Sequence, residues 1–241
     1  MKFQIISDLH LEFFESTGSK LDFIDSLKTD ADYVLVAGDI STGASMLYDY
    51  NILIETLNNV IFVSGNHEYY HSNKKDVDKF LSDRYAGFLN NNYIDLGDVV
   101  IVGGTGWNSH FNEIGASRMN DFKLIEDLVT DKHISIEWAR ETYDYFDAML
   151  YNLKDRKVIC MTHNAPLHDC IPTKYFGSPL NPFFANNWFE LFNYEPVLWV
   201  YGHFHESKDF MYGNTRVIEN SFGYTGREEN RNFDKGLIVD V

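Results

Sequence analysis

Short, uninterrupted apolar runs alternate along the chain with segments whose apolar residues recur at helical spacing. The uninterrupted runs predict strands that are buried on both faces of a sheet. They cover residues 33–37, 60–63, 158–161 and 197–201, and two further strands are predicted over residues 2–7 and 99–102. The helical spacing predicts helices over residues 20–28, 44–58, 74–89 and 134–153. Strands and helices in alternation predict an α/β fold.

Two long segments, 103–133 and 164–196, show neither pattern and are rich in aromatic residues, Asn, Pro and Gly. Loops of this length within a compact domain usually carry function. Near the end, the pattern predicts antiparallel strands over residues 209–212, 216–219 and 236–241. Because the chain shows no repeat, linker or low-complexity stretch, we predict a single domain over residues 1–241.

The composition narrows the possible partners and location. The 241 residues are 44% hydrophobic and carry a formal net charge of −16, which disfavours stable binding to nucleic acids or anionic membranes. No apolar run approaches the roughly 18 residues of a membrane helix, and no targeting signal is evident, so we expect a cytoplasmic protein. Cys160 and Cys170 form no C-x-x-C motif, which argues against thiolate zinc sites. The oligomeric state stays open.

Five short polar motifs each follow a predicted strand. Because ligands bind at the carboxyl ends of the strands in open α/β sheets, we expect these motifs to converge. Their imidazole, carboxylate and amide groups suit Mn, Fe, Zn or Ni better than Ca or Mg. The motifs are Asp8-Leu9-His10, Gly38-Asp39, Gly65-Asn66-His67-Glu68, Thr162-His163-Asn164 and Gly202-His203-Phe204-His205.

The spacing within the motifs suggests how metals could be held. Asp8 and His10 are two residues apart, so a continuing strand would point both side chains to the same side. His203 and His205 share this spacing and could bind one metal or be split between two. The two oxygens of Asp39 could bridge two cations.

One histidine in the third motif is a candidate for proton transfer instead of metal binding. His67 directly follows the candidate ligand Asn66, and a phosphoester leaving group needs a proton donor. We therefore expect His67 to be the general acid, with Glu68 as a candidate for orienting its ring.

The order of these motifs resembles that of the calcineurin-like metallophosphoesterase superfamily, with D-x-H, G-D, G-N-H-[DE], H and G-H-x-H. The run 66–70 and the segments 220–224 and 232–234 resemble a poorly characterised bacterial and phage branch. The resemblance implies a four-layer αββα sandwich, with two mixed β-sheets flanked by helices. It also implies two divalent metal ions, one held by Asp8, His10, Asp39 and His205, the other by Asp39, Asn66, His163 and His203.

Such a centre implies a phosphoric ester hydrolase that acts on small phosphomonoesters or phosphodiesters by attack of a metal-bridging hydroxide, with Mn favoured. His67 would be the acid. No arginine follows Asp39 within residues 39–43, which argues against a protein phosphatase. A nuclease of the same superfamily and a non-catalytic, metal-bound scaffold for a protein partner remain alternatives. The physiological substrate is open.

Several other polar or aromatic residues have two interpretations. His71, His110, His133 and His168 are isolated and fit ordinary polar roles, although His110 and His168 lie in the long segments. The basic candidates for phosphate contact, which also fit solvated surface positions, are Arg118, Lys123, Lys174 and Arg227. The aromatic residues between 175 and 192 either fill the core or line a wall against the substrate.

Overall fold

The computed structural model describes residues 1–57 and 59–241. Its strands are β1 (Lys2–Ile6), β2 (Tyr33–Ala37), β3 (Val60–Val63), β4 (Phe88–Leu89), β5 (Asn92–Asp95), β6 (Val99–Gly103), β7 (Lys157–Met161), β8 (Leu198–Tyr201), β9 (Ser207–Tyr212), β10 (Thr215–Asn220), β11 (Gly223–Tyr224), β12 (Glu228–Glu229) and β13 (Ile238–Asp240). Its α-helices are α1 (Thr17–Asp25), α2 (Met46–Thr56), α3 (Lys74–Ser82), α4 (Glu113–Ala116), α5 (Asp121–Leu124), α6 (Glu126–Thr130) and α7 (Ile134–Asn152).

The long strands form two mixed sheets. The first has the order β13-β1-β2-β3-β4, in which β13 is antiparallel to β1 and the others are parallel. The second has the order β5-β6-β7-β8-β10-β9, with antiparallel strands at both edges. A bridge between Ser7 and Ser221 links the ends of β1 and β10, so the two sheets meet beside the motif loops.

Alternation along each strand assigns its two faces. Ile5 and Leu35 are paired across β1 and β2, and both belong to an apolar layer that also contains Ile159 and Val200 of the second sheet. Successive strand side chains point to opposite faces, so the intervening residues face outward. Both faces must therefore be covered, which explains why these strands read as continuous apolar runs.

Helices cover the outer faces. The ring of Tyr50 on α2 packs against Phe62 of β3 with a centroid distance of 5.1 Å. On the other side, Phe146 of α7 stacks on Trp199 of β8 at 5.5 Å. The layers are thus helix, sheet, sheet, helix, which confirms the predicted αββα sandwich.

Two of the observed helices are shorter than the sequence predicts. The helix predicted over residues 74–89 ends at Ser82, because the following residues turn so that Phe88–Leu89 can pair with β3 as β4. Tyr85 and Phe88 are buried as the pattern suggested, but in a turn and a strand. The helix predicted over 44–58 is α2, and residue 58 lies outside the described residues.

The two long segments are not entirely irregular. The first contains α4, α5 and α6, and the second contains 3-10 turns at His168–Cys170, Thr173–Tyr175, Asn181–Phe183 and Phe189–Tyr194. These elements are too short to leave a readable period in the sequence. Among the described residues, no helix is both long and apolar enough to cross a bilayer.

Candidate metal centre

The five motifs follow β1, β2, β3, β7 and β8, and the structure brings their side chains together. One group places a ligand atom of each member within 4.8 Å of the others, and so does a second group that shares Asp39 with it. The first group is Asp8, His10, Asp39 and His205, and the second is Asp39, His163 and His203. For the carboxylates and histidines this grouping agrees with the two ligand sets that the family resemblance implies, with His203 and His205 in different groups.

The backbone that presents these side chains is not a continuing strand. Asp8, His10 and Asp39 have φ angles of 53°, 43° and 53°, and His203 and His205 have 79° and 55°. These left-handed conformations are unfavourable for residues with a Cβ, and they cluster at functional sites. The expectation that Asp8 and His10 converge by strand alternation was therefore wrong. They converge because the chain turns sharply at each of them.

In the first group, two imidazoles face each other beside the carboxylates. Nε2 of His10 lies 3.1 Å from Nε2 of His205, and it lies 3.5 Å from Oδ2 of Asp39. Nε2 of His205 lies 3.5 Å from Oδ1 of Asp8. Asp8 in turn accepts hydrogen bonds from the His203 backbone N–H and the Ser221 hydroxyl, which fix its orientation.

The second group repeats this arrangement. Nε2 of His163 lies 3.0 Å from Nδ1 of His203, 3.1 Å from Oδ1 of Asn66 and 3.5 Å from Oδ2 of Asp39. The other ring nitrogen of His163 donates to the Ala37 carbonyl at 2.8 Å. This leaves the lone pair of Nε2 directed at the centre of the group, as a metal-ligating histidine requires.

Asn66 is oriented by two residues to which the sequence analysis assigned no role in the site. Its Nδ2 donates to Asp121 at 2.8 Å and to the Tyr70 hydroxyl at 3.1 Å. The amide oxygen therefore points at His163. Tyr70 lies two residues after the third motif, whereas Asp121 lies in the first long segment, where no pattern marked it.

The motif glycines are needed because ligands pack directly on their backbone. A Cβ added at Gly65 would lie 2.1 Å from Oδ1 of Asp39. One added at Gly202 would lie 2.4 Å from Oδ2 of Asp8. Any larger residue at either position would displace a carboxylate.

The electrostatics of the centre call for cations. Asp8 and Asp39 are almost fully buried, and among the described residues their ion-pair partners are all histidines. Burial and the negative charges of Glu68 and Asp8 raise the pKa of Asp39 well above its usual range. Burial lowers the pKa of His10 to about 3 and that of His163 to about 4, so both rings are neutral at pH 7.

Divalent metals fit this donor set. Neutral imidazoles and carboxylates are ligands for borderline divalent ions. Two nitrogens bound about 2.1 Å from one ion lie about 3 Å apart when the ligands stand at right angles, which is the spacing in both histidine pairs. One divalent ion at each histidine pair, with Asp39 shared, would also balance the negative charge of the buried carboxylates.

The sequence-based role for Glu68 was wrong. Its two oxygens accept hydrogen bonds from the backbone N–H groups of residues 39–41 and of Gly65, and from the Tyr50 hydroxyl. Glu68 thus holds the loop that carries Asp39. His67 makes its carboxylate contact with Glu12 instead, through Nδ1 and Oε1 at 3.2 Å.

Glu12 is a residue that the sequence reasoning missed. Burial alone would raise its pKa, but the hydrogen bonds to His10 and His67 hold the pKa of Glu12 at about 2. Its position, two residues after His10 in Asp8-x-His10-x-Glu12, was the signal that could have revealed it.

A cavity of about 300 Å³ opens beside the centre. Its lining includes Asp39, His67 and Tyr224 at the metal end, and residues 118–120 and part of 175–184 form the rest of the wall. Both long segments therefore contribute to its wall, as their length suggested. The side chains that form this outer wall are Arg118, Met119, Asn120, Tyr175, Ser178, Leu180, Asn181 and Phe184.

Of the remaining candidates, only some reach this cavity. Arg118 lines it, whereas Lys174 pairs with Glu206 and the guanidinium of Arg227 lies over the Phe13 ring. His110 and His168 are not among its lining residues, and neither is Lys123. In the aromatic run, Tyr175 and Phe184 face the cavity, while Phe183, Trp188 and Phe192 are buried in the core.

A sequence profile of the calcineurin-like phosphoesterases matches residues 1–207, which include all five motifs. The chain belongs to the calcineurin-like phosphoesterase family. An uncharacterised protein, L509 of Acanthamoeba polyphaga mimivirus, is 29% identical over 270 residues, covering 98% of this chain and 95% of that protein. The assignment to a bacterial and phage branch stays a prediction.

Solved structures support the family fold. Phosphopantetheinyl hydrolase (PptH) of Mycobacterium tuberculosis matches with a TM-score of 0.72 and 19% identity, over 92% of this chain and 89% of that one. A putative 5'-nucleotidase of Staphylococcus aureus matches with a TM-score of 0.55 and 14% identity, over 90% of this chain and 48% of that one. At these identities the likeness concerns the fold.

Proposed function

We propose that this phosphoesterase holds two divalent metal ions and hydrolyses small phosphomonoesters or phosphodiesters. The observation that carries the proposal is the pair of opposed histidine contacts that share Asp39. Asp8, His10, Asp39 and His205 would hold one ion, and Asp39, Asn66, His163 and His203 the other. When bound, two such ions lower the pKa of a water molecule and offset charge on phosphoryl oxygens.

The protein's own groups would orient the ester and protonate the leaving group. His67 lines the cavity at its metal end, and its Nε2 contacts the hydroxyl of Tyr224, another lining residue, while its Nδ1 contacts Glu12. In this proposal Nε2 delivers a proton to the departing oxygen, a role that typically contributes about 10²–10⁴-fold in rate.

The size and lining of the cavity favour a small organic ester. Its volume of about 300 Å³ is at the lower end for small-molecule sites. Met119, Leu180 and Phe184 provide an apolar wall, and Arg118 is the cationic side chain among the lining residues. We infer that Arg118 contacts an anionic or carbonyl group of the substrate, because no ion pair to it occurs among the described residues.

Two observations weigh against a nuclease. The net charge of −16 repels a polynucleotide, and a cavity of about 300 Å³ is small for a strand. A non-catalytic scaffold would not need a buried histidine beside the metal ligands that also lines a cavity. We therefore favour the hydrolase.

The experiment is a substrate panel measured on protein loaded with Mn²⁺, Fe²⁺, Zn²⁺ or Ni²⁺, with Mn²⁺ expected to be most active. The panel holds 4-nitrophenyl phosphate, bis(4-nitrophenyl) phosphate, 5'-nucleotides, a phosphopantetheinyl ester and oligonucleotides. The named fold neighbours motivate the nucleotide and phosphopantetheinyl members. Hydrolysis of small esters that is lost in Asp39→Asn supports the proposal. The proposal is contradicted if the metal-loaded protein hydrolyses none of these substrates, or if it hydrolyses only the oligonucleotides.

The role of Arg118 has its own test. Arg118→Gln should raise KM for the best panel substrate about tenfold while leaving kcat within about twofold, since it contacts the ester away from the reacting bond. Arg140→Gln, on the exposed face of α7, is the matched control. An unchanged KM in Arg118→Gln would remove Arg118 from the substrate site.

A further inference from the structure

The ring of His67 is held at both of its nitrogens. Nδ1 lies 3.2 Å from Oε1 of Glu12, and Nε2 lies 3.1 Å from the Tyr224 hydroxyl. The ring also packs on Tyr70 with a centroid distance of 4.3 Å. Three contacts of different kinds therefore fix its orientation beside the candidate metal ligands.

Glu12 serves a second imidazole with the same oxygen. Oε1 also lies 3.2 Å from Nδ1 of His10, and the Glu12 side chain is only 11% exposed. An ionised carboxylate can only accept hydrogen bonds. Both rings must therefore donate their Nδ1–H to Glu12, which leaves Nε2 of His10 beside His205 and Nε2 of His67 beside the Tyr224 hydroxyl.

The neighbouring acidic residue in sequence is not available for this task. Glu68 follows His67 directly, but both of its oxygens are occupied by backbone N–H groups and the Tyr50 hydroxyl. Glu12 comes from the loop after β1, far from the third motif in sequence. The turn at His10, with its φ of 43°, is what carries Glu12 to His67.

We propose that Glu12 is the positioning residue of the proton donor, and that one carboxylate orients both His67 and the ligand His10. This inference rests on the proposed hydrolase function. His67 acts in its imidazolium form, with one proton on each ring nitrogen. As the bond between phosphorus and the leaving oxygen breaks, its electron pair goes to that oxygen, which takes the Nε2 proton and leaves His67 as the neutral Nδ1–H tautomer. The proton on Nδ1 stays on the ring throughout, hydrogen-bonded to Glu12. The contact of Nε2 with the hydroxyl of Tyr224, which lines the cavity, places this nitrogen beside the space proposed for the ester.

The test compares two aryl phosphate esters that differ only in their need for an acid. A phenyl ester has a poor leaving group, whereas a 2,4-dinitrophenyl ester leaves without protonation. Loss of metal lowers turnover of both esters alike, while loss of a positioned acid lowers turnover of the phenyl ester selectively. The ratio of the two rates therefore separates the two effects of Glu12. Bound metal is measured in every sample.

In Glu12→Gln at saturating Mn²⁺, turnover of the phenyl ester should fall about 10–100-fold, as for other partners that orient a histidine. Turnover of the dinitrophenyl ester should fall less than about threefold, because its departure needs no acid. Glu15→Gln, an exposed glutamate three residues on, should change neither rate. Equal losses on both esters, or no loss on the phenyl ester, would overturn the inference. Wild-type protein inactive on both esters would instead refute the proposed function.

A second readout does not depend on activity. ¹⁵N-histidine NMR of the metal-free protein should show His67 as the Nδ1–H tautomer, assigned by the loss of its signal in His67→Gln. In Glu12→Gln the signal should shift towards the Nε2–H tautomer, because the acceptor at Nδ1 is weakened. A His67 signal that is the same in wild type and Glu12→Gln would contradict the role of Glu12.

Discussion

Nε2 of His163 lies 3.0 Å from Nδ1 of His203, while the opposite nitrogen of His163 donates its proton to the Ala37 carbonyl. A second pair, His10 and His205, repeats this contact at 3.1 Å. The shared neighbour of the two pairs is Asp39. This repeated arrangement of imidazole rings around one carboxylate is what distinguishes the site from an ordinary polar cluster.

The first prediction concerns metal stoichiometry. Purified protein should bind two equivalents of Mn²⁺, and His163→Ala should bind about one, because only the second group loses a ligand. Elemental analysis after gel filtration measures the bound metal. His133→Ala, outside both groups, should keep two equivalents. A wild-type value of one, or full occupancy in His163→Ala, would rule out the assignment of ligands.

The second prediction is the pH dependence of stability in the metal-free protein. His10 and His163 have pKa values of about 3 and about 4 when folded, below the ordinary value of 6.5 for both. Between these folded-state pKa values and 6.5, the unfolded chain therefore binds more protons than the folded protein. The contribution of the two histidines to the free energy of unfolding is full above pH 6.5 and falls as the pH drops towards 4.

Chemical unfolding at pH 7.5 and pH 5 in the presence of a chelator measures this effect. The double variant His10→Gln, His163→Gln should show a smaller loss of stability between the two pH values than wild type does. An equal or larger loss in the double variant would show that other groups cause the acid sensitivity.

The third prediction concerns Glu68 as the support of the Asp39 loop. Glu68→Gln places an amide N–H₂ against backbone donors, so we expect the free energy of unfolding to fall by about 1–3 kcal/mol. Metal affinity should fall with it, because Asp39 loses its fixed position. Urea unfolding and calorimetric metal titration measure the two effects. Glu55→Gln, exposed on α2, serves as the comparison and should alter neither.

The fourth prediction tests the packing of a ligand on a motif glycine. A Cβ at Gly65 would approach Oδ1 of Asp39 to 2.1 Å, so Gly65→Ala should displace the carboxylate and abolish binding of both ions. Gly18→Ala is the matched control, since its Cβ would meet nothing closer than 3.8 Å. Two bound Mn²⁺ ions in Gly65→Ala would show that the loop adapts and that the close contact is not required.

Much of the sandwich follows from the sequence because buried parallel strands leave an unmistakable pattern. Tyr33–Ala37 and Val60–Val63 are observed with the predicted bounds. The end of the helix predicted over 74–89 could not be found this way. Tyr85 and Phe88 are apolar at helical spacing, yet Phe88 is buried by pairing with β3 and Tyr85 by stacking on Tyr50 of α2, contacts that depend on the tertiary structure.

The candidate site shows the same division. The motif side chains could be placed together because each follows a parallel strand, and ligands bind at the carboxyl ends of such strands. The partner of His67 could not, since the choice between Glu12 and Glu68 is made by a left-handed turn at His10 and by backbone donors that occupy Glu68. The role of Asp121 could not be predicted for a related reason, because helices as short as α5 show no hydrophobic periodicity in the sequence.

The most direct test of the two-metal hydrolase is the rate of bis(4-nitrophenyl) phosphate hydrolysis as Mn²⁺ is added stepwise to metal-free protein. We predict that the rate rises to a plateau at two equivalents of bound Mn²⁺ and that Asp39→Asn stays inactive at any Mn²⁺ concentration. A plateau already reached at one equivalent, or no hydrolysis with Mn²⁺, Fe²⁺, Zn²⁺ or Ni²⁺ bound, would contradict it.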